Sequence, residues 1–161
     1  MKKMKVVLGV VALVLVSVFV LAFTSKGTVK YTYTQYYANA EDSITIVKSM
    51  EELNDYISTN MERLHLNNEY VGHDSFTNLT KEYSDNYFEN KDLAIINVNE
   101  TSMSYKFSLD NITCEDNTLI VSFNRYLDDE IIDCCCVGYL IIIEVDKLND
   151  YKSVKLNKIC S

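Results

Sequence analysis

The stretch that decides the fold is Val137-Gly138-Tyr139-Leu140-Ile141-Ile142-Ile143-Glu144-Val145-Asp146-Lys147. Residues 139–143 are all bulky and apolar, so this segment has no polar face, and its isoleucines favour an extended strand because they are β-branched. A strand that is apolar on both sides needs a covering layer on each face. We therefore expect residues 139–145 to form the central strand of a sheet, with a neighbour on either side.

Shorter segments with strand-like patterns predict the rest of a mainly antiparallel sheet. They are residues 29–37, 44–47, 93–98, 102–110, 119–123 and 151–160. Glu115-Asp116-Asn117 predicts a turn, because Asp and Asn tolerate a positive φ. A further turn at residues 148–150 would send the last segment back antiparallel to the central strand, which places Cys160 opposite Val137.

One amphipathic helix is predicted after residue 49. Ser49 and Glu52 have the spacing of a capping box, in which the serine caps the first turn and the acid reaches back over it. Apolar residues then recur at helical spacing: Met50, Leu53, Ile57, Met61 and Leu64. This stripe should face a sheet, with Glu51 and Asn54 toward water. For residues 83–91 we predict a second, very short helical turn, which Phe88 would attach to the core.

The N-terminus carries an export or membrane signal. Lys2, Lys3 and Lys5 precede residues 6–23, which hold no charge and only one polar side chain, Ser17. This pattern is that of a membrane anchor or of a signal peptide cleaved after Ala22. Either alternative places the rest of the chain outside the cytoplasm. The anchored form would be a single-pass protein of the cell membrane, and the cleaved form would be secreted.

These observations define the expected fold class and domain organisation. We expect an α+β protein: an N-terminal hydrophobic helix, then one mainly antiparallel β domain with one amphipathic helix packed on its sheet. Residues 1–23 are the signal peptide or anchor, residues 24–28 are a linker, and residues 29–161 are a single extracytoplasmic domain.

The charge of the chain argues against nucleic acid as a partner. The net charge is −8, and loss of the first 22 residues with their three lysines would make it −11. Such a surface repels phosphate backbones. The membrane, through residues 6–23, and another exported protein are the partners that we expect.

From Tyr83 onward the chain resembles the C-terminal domain of the PrcB-type family. Its members are secreted or membrane-tethered bacterial proteins, named for an accessory subunit that stabilises a protease complex. The matching segments are Tyr87-Phe88, Leu93-Ala94-Ile95-Ile96 and residues 101–107, 119–123 and 139–147. The resemblance covers residues 83–147 and implies a non-catalytic, partner-binding role. The family's Thr-Gly-Gly-Tyr turn corresponds here to Thr101-Ser102-Met103-Ser104-Tyr105, so Ser102, Met103 and Ser104 are candidate interaction residues.

Two further groups of residues leave alternatives open. The first strand is rich in tyrosine, and Tyr31 and Tyr33 form either an exposed recognition stripe or the packing of one sheet face. The five cysteines are Cys114, Cys134, Cys135, Cys136 and Cys160. An exported chain permits disulfides, and the expected register makes Cys136 (or Cys134) the partner of Cys160, with Cys114 left free. The alternative is that these cysteines stay free, or serve a redox or metal site.

The sequence offers little for catalysis or cofactor binding. It has no Gly-x-Ser-x-Gly elbow and no Gly-rich phosphate loop. His65 and His73 lie eight positions apart, not the four of a zinc pair on one helical face, so we expect both to be solvated. We expect no cofactor, no metal and no enzymatic activity. The leading hypothesis is a membrane-tethered interaction module that binds or stabilises another exported protein. The alternative is a thiol-dependent redox protein or enzyme that uses residues 134–136.

Overall fold

The computed structural model describes residues 28–34, 41–70, 72–127, 136–147, 151 and 153–160. Seven strands and three short helices lie in these ranges. The strands are β1 (Val29–Thr34), β2 (Ser43–Val47), β3 (Lys91–Glu100), β4 (Tyr105–Glu115), β5 (Thr118–Leu127), β6 (Val137–Asp146) and β7 (Ser153–Cys160). The helices are α1 (Met50–Asn60), α2 (Phe76–Leu79) and α3 (Asp85–Phe88).

The strands form two sheets that pack face to face beneath a layer of helices. The four-stranded sheet has the order β1-β6-β3-β2, and the three-stranded sheet has the order β4-β5-β7. One hydrophobic core lies between the two sheets, and a second lies between the four-stranded sheet and the helical layer. The four-stranded sheet is therefore the middle layer of three.

The central strand lies where its apolar run predicted. β6 pairs antiparallel with β1 on one side and with β3 on the other. Tyr139, Ile141, Ile143 and Val145 pack into the core between the sheets, whereas Leu140 and Ile142 pack under the helices. Complete burial of an aliphatic side chain of this size contributes about 1.5–3 kcal/mol. The two-sided burial of β6 thus explains why the sheet needs a covering layer on each face.

Helix α1 begins at the predicted cap and presents the predicted face. The Ser49 hydroxyl oxygen accepts the Glu52 backbone N–H at 3.1 Å, and the Glu52 carboxylate accepts the Lys48 backbone N–H at 2.7 Å. Leu53 is buried, while Met50 and Ile57 are half-buried against the same core. Glu51 and Asn54 are exposed, so the predicted orientation of the apolar stripe is confirmed.

The β4–β5 hairpin turns at the predicted residues. Asp116 and Asn117 have φ values of 49° and 61°. Two consecutive residues with positive φ are typical of the two-residue turns that match the twist of a hairpin. The register of the pair shifts between Leu109 and Asn111, which leaves Asp110 as an exposed bulge.

The prediction for the C-terminal segment is wrong. β7 does not return beside β6 but joins the second sheet, where it pairs parallel with β5 and places Cys160 opposite Arg125. The physical reason is that β1 and β3 already occupy both edges of β6. Val154 and Leu156 still face the core between the sheets, so the segment keeps the predicted face and changes its partner strand.

The expected α+β class is confirmed, but the structure has more sheets and helices than predicted. The β layer consists of two sheets, one of which contains a parallel pair, and two short helices accompany the amphipathic one. The predicted N-terminal hydrophobic helix, the turn at 148–150 and most of the linker lie outside the described residues. Among the described residues, no helix is both long enough and apolar enough to cross a membrane.

Candidate functional site

The structure brings most of the predicted interaction residues together at one end of the sheets. The Tyr33 hydroxyl donates a hydrogen bond to the Met103 carbonyl at 3.1 Å, and the Tyr139 hydroxyl donates one to the Ser102 carbonyl at 3.1 Å. Within the turn, the Ser104 backbone N–H donates to the Ser102 hydroxyl at 3.0 Å. Tyr33 and Ser102 are buried, so these contacts attach the turn to the core.

Aromatic rings around Tyr31 and Tyr33 of β1 extend this cluster. The Tyr33 ring lies 4.6 Å from His73 and 5.6 Å from Tyr70, and Tyr31 lies 5.3 Å from His73. Tyr70 and His73 exchange two backbone hydrogen bonds. His65 is exposed as expected, but His73 is half-buried, because the rings of β1 cover it. A recognition role for Tyr31 and Tyr33 stays a prediction, and their packing role is visible here.

A chain of charged groups links the two sheets at the same end. Glu100, only 4% exposed, accepts Arg125 at 3.2 Å and Lys158 at 3.3 Å. Lys158 also contacts Asp42 at 2.7 Å, and Arg125 donates to the Tyr105 hydroxyl at 3.0 Å. Burial alone would lower the pKa of Lys158, but the two carboxylates beside it raise this pKa overall. Each charge faces an opposite charge, so this network joins the sheets.

A second ionic group joins β1 and β6 to the helical layer. Glu144 contacts Lys30 at 3.3 Å and accepts the Tyr83 hydroxyl at 3.2 Å. Lys30 also contacts Glu82. Burial, and then the negative charge of Glu144, raise the pKa of Tyr83 well above its usual range. Tyr83 therefore stays a neutral hydrogen-bond donor that holds this part of the helical layer on the sheet.

The antiparallel β6–β7 register that was expected to pair the cysteines does not form, because β7 pairs with β5. Cys114 and Cys136 are free and exposed. Cys136 directly precedes β6 in the four-stranded sheet, whereas Cys160 ends β7 in the other sheet. Cys134 and Cys135 lie outside the described residues. The disulfide of Cys136 or Cys134 with Cys160 stays a prediction, but the argument from an antiparallel β6–β7 pair no longer supports it.

The outer edge of β2 differs from these satisfied clusters. β2 ends the four-stranded sheet, and within the described ranges no backbone hydrogen bond reaches its outer side. β7 of the other sheet runs beside it. Lys48, directly after β2, lies over the Tyr151 ring at 4.0 Å, and Lys158 of β7 contacts Asp42, directly before β2, at 2.7 Å. Natural sheets usually protect such an edge with charges, prolines, bulges or a covering segment. Ser43-Ile44-Thr45-Ile46-Val47 contains neither a charge nor a proline. At the other end of this sheet, the rings of Tyr70 and His73 pack against Tyr31 and Tyr33 of β1.

The direction of the β2 backbone groups follows from two hydrogen bonds of β3. The Asn99 N–H reaches Asp42 on the β2 side, whereas the Asn90 carbonyl accepts Lys147, which follows β6. Odd-numbered residues of β3 therefore bond toward β2, because backbone groups alternate sides along a strand. Thr45 pairs with Ile95, so its backbone groups point inward. Those of Ile44 and Ile46 point outward from the sheet.

A groove runs between this edge and helix α1. Its lining consists of Thr45, Ile46, Val47, Glu52, Asp55, Tyr56, Thr59 and Asn60. The two charged residues of this lining are both acids, and Asp55 is exposed. Burial raises the pKa of Tyr56 to about 12, against a smaller opposing effect of Arg63. The Tyr56 hydroxyl thus stays protonated at neutral pH and able to donate a hydrogen bond.

The sequence analysis did not single out this groove, although a signal was present. Glu52, Asp55, Tyr56 and Thr59 recur at helical spacing, which defines a second face of α1 beside the apolar stripe. The position of β2 at the end of its sheet could not be predicted in the same way, because it depends on which strands flank β3 and β6.

Comparison with known proteins adds no assignment: no family model, no curated protein and no solved structure matches this chain. The described residues contain no cluster of three or more His, Cys, Asp or Glu side chains suited to a metal ion. The candidate functional site is therefore the groove between β2 and α1, together with the outer edge of β2.

Proposed function

We propose that this chain is an extracytoplasmic, membrane-tethered module that binds or stabilises another exported protein without catalysing a reaction. The observation that carries the proposal is that the backbone groups of Ile44 and Ile46 point away from β3 at the end of the four-stranded sheet. β7 lies beside them, but among the described residues it forms no strand pair with β2. Addition of a partner strand to an exposed sheet edge is a common mode of peptide recognition, in which backbone hydrogen bonds supply affinity.

The N-terminal sequence supports the location that this function needs. Residues 6–23 are long enough to span a membrane, and the lysines before them favour an N-terminus on the inner side. The resemblance of residues 83–147 to the PrcB-type domain also favours an accessory role. The α1 groove adds side-chain pockets beside the edge, and such pockets give specificity to strand addition.

The test compares Ile44→Pro with Ile44→Ala in the full chain. Both variants lose the half-buried isoleucine side chain, but only proline removes the outward N–H and blocks the edge. The chain is expressed with an affinity tag in its native membrane, cross-linked and purified. We expect a partner protein to co-purify with the wild type and with Ile44→Ala, and to be lost with Ile44→Pro. Urea unfolding of both variants provides the control for folding.

Two results would contradict this proposal. One is purification of the cross-linked chain without any partner. The other is equal recovery of a partner with both variants at equal stability, because the edge of β2 would then be irrelevant to binding.

A further inference from the structure

We propose that the domain is oriented with one end of its sheets toward the membrane, so that its strands run away from the lipid surface and its partner binds clear of the headgroups. This inference rests on the tether of the proposed function, and it specifies the surface that faces the lipid and the kind of partner that can reach the chain. The membrane-proximal end is the end that holds Thr28, α3 and the β4–β5 turn. The membrane-distal end holds the 101–104 turn and Cys136.

The position of Thr28 fixes the end at which the chain enters the domain. The Glu144 N–H donates to the Thr28 carbonyl at 3.1 Å, and Val29 lies opposite Ile143, near the end of β6. Phe23, the last residue of the expected anchor, is five positions before Thr28. Five residues span at most about 18 Å when fully extended. An anchored chain therefore holds this end of its sheets beside the headgroups.

The two exposed thiols of the described residues lie at opposite ends of the domain. Glu100 ends β3 opposite Val137, the first residue of β6, and its carboxylate contacts Arg125 of β5 at 3.2 Å. Since Arg125 is near the end of β5, this strand begins at the membrane-proximal end and ends at the membrane-distal end. Cys114 lies beside the first residues of β5, whereas Cys136 directly precedes β6.

The length and charge of the domain separate its two ends from the membrane unequally. β3 and β6 each contain ten residues, which is roughly 33 Å at about 3.3 Å per residue. Without its first 22 residues and their three lysines, the chain changes from a net charge of −8 to −11. Anionic headgroups repel such a surface. This repulsion disfavours an orientation in which a long side of the domain lies on the lipid.

The height of β2 above the membrane then defines the partner. Ile46 lies opposite Ala94, and Ile44 lies opposite Ile96. Counted along β3 from Lys91 at the membrane-proximal end, these positions are roughly 10 and 17 Å farther out. With the linker added, β2 presents them about 10–35 Å from the hydrocarbon layer. The partner is therefore an exported protein with a part that extends to this height, and not a protein confined to the bilayer.

The experiment measures energy transfer from each thiol to lipid in vesicles that contain the full chain. The vesicles consist of phosphatidylcholine and phosphatidylglycerol with a small fraction of acceptor-labelled lipid. Two variants keep either Cys114 or Cys136 and have serine at the other four cysteine positions. Each is labelled from outside with a membrane-impermeant donor. We expect transfer from Cys114 to be several times more efficient than transfer from Cys136, because the efficiency falls steeply with distance.

A second measurement needs no substitution and so does not depend on the folding of these variants. The wild-type chain is incubated in vesicles with a lipid that carries a maleimide on its headgroup, and mass spectrometry identifies the modified cysteine. We expect modification of Cys114 and none of Cys136. A soluble maleimide is the control, and it should modify both exposed thiols.

A longer linker tests whether the short tether sets the orientation. Insertion of about 20 glycine and serine residues between Ser25 and Lys26 adds a flexible segment with a typical end-to-end distance of roughly 25 Å. We expect the transfer efficiencies of the two thiols to converge in this variant. Equal transfer from both thiols at the native linker length, or greater transfer from Cys136, would overturn the proposal.

Further outcomes identify which proposal has failed. If the expressed chain is cleaved and recovered outside the membrane fraction, the tether of the proposed function fails. If the chain stays in the membrane but both thiols give equal transfer, the tether is retained and the orientation is wrong. If the orientation is found but the cross-linked partner has no part outside the bilayer, the inferred kind of partner is wrong.

Discussion

Glu100 shows at the scale of one residue how this fold uses a buried charge. The carboxylate is almost wholly buried between Arg125 and Lys158, which lie on two strands of the other sheet. Glu100→Gln should lower the free energy of unfolding by about 2 kcal/mol, since two cations lose their anion in a partly buried site. Asp42→Asn, at the more exposed end of the network, should cost less than about 1 kcal/mol. Urea unfolding measures both, and equal costs would contradict this account.

A further prediction at the level of elements concerns the first turn of α1. Ser49 caps this helix through a hydrogen bond, whereas Ser84 stands at the corresponding position of α3 without one. Ser49→Ala should therefore lower the free energy of unfolding by about 1 kcal/mol. Ser84→Ala is the matched control, and we expect it to change stability by less than about 0.5 kcal/mol. Thermal or urea unfolding of both variants checks this, and a larger loss from Ser84→Ala would contradict it.

The β4–β5 turn gives a second prediction at this scale. Asn117 has a φ of 61°, a conformation that glycine adopts without strain and alanine does not. Asn117→Ala should therefore destabilise the chain by about 1 kcal/mol, and Asn117→Gly should be neutral or stabilising. Differential scanning calorimetry measures the order of the melting temperatures. If the alanine variant melts at or above the glycine variant, the turn does not need a positive φ at this position.

The same elements show which parts of the fold the sequence predicts. β6, the α1 stripe and the turn at 115–117 could be predicted because their signals are local: an unbroken apolar run, a helical period and residues that tolerate positive φ. The place of β7 could not, since its alternation specifies a buried face but no partner strand. For Tyr31 the sequence left an exposed stripe and the packing of a sheet face open, and Ser102 was a candidate interaction residue. The structure shows both in packing contacts, because β1 and the 101–104 turn meet at the end of the core.

The candidate groove depends on information that local patterns lack. The spacing of Glu52, Tyr56 and Thr59 predicts the face of α1 that lines the groove. Its other wall is β2, which is an edge strand because the order of the four-stranded sheet is β1-β6-β3-β2. Strand order is a property of the whole chain, so the site emerges only when the sheet is assembled.

At the scale of the whole molecule, buried tyrosines make stability depend on alkaline pH. Burial is the largest cause that raises the pKa of five tyrosines in the folded chain: Tyr56, Tyr83, Tyr87, Tyr139 and Tyr151. Below the ordinary pKa of tyrosine, near 10, both the folded and the unfolded chain keep these protons, and the stabilisation is fully present. Above it, the unfolded chain loses protons that the folded chain retains.

Stability should consequently be insensitive to these groups at neutral pH and should fall as the pH rises above about 10. Each tyrosine that stays protonated in the folded chain adds a slope of about 1.4 kcal/mol per pH unit.

The raised pKa of Lys158 acts in the same direction, so a variant must isolate the tyrosine contribution. Tyr139→Phe serves this purpose, because Tyr139 is fully buried and phenylalanine cannot ionise. Urea midpoints at a series of alkaline pH values should fall less steeply for Tyr139→Phe than for the wild type. Parallel curves would show that Tyr139 ionises equally in both states, and would place its hydroxyl in water and away from the Ser102 carbonyl.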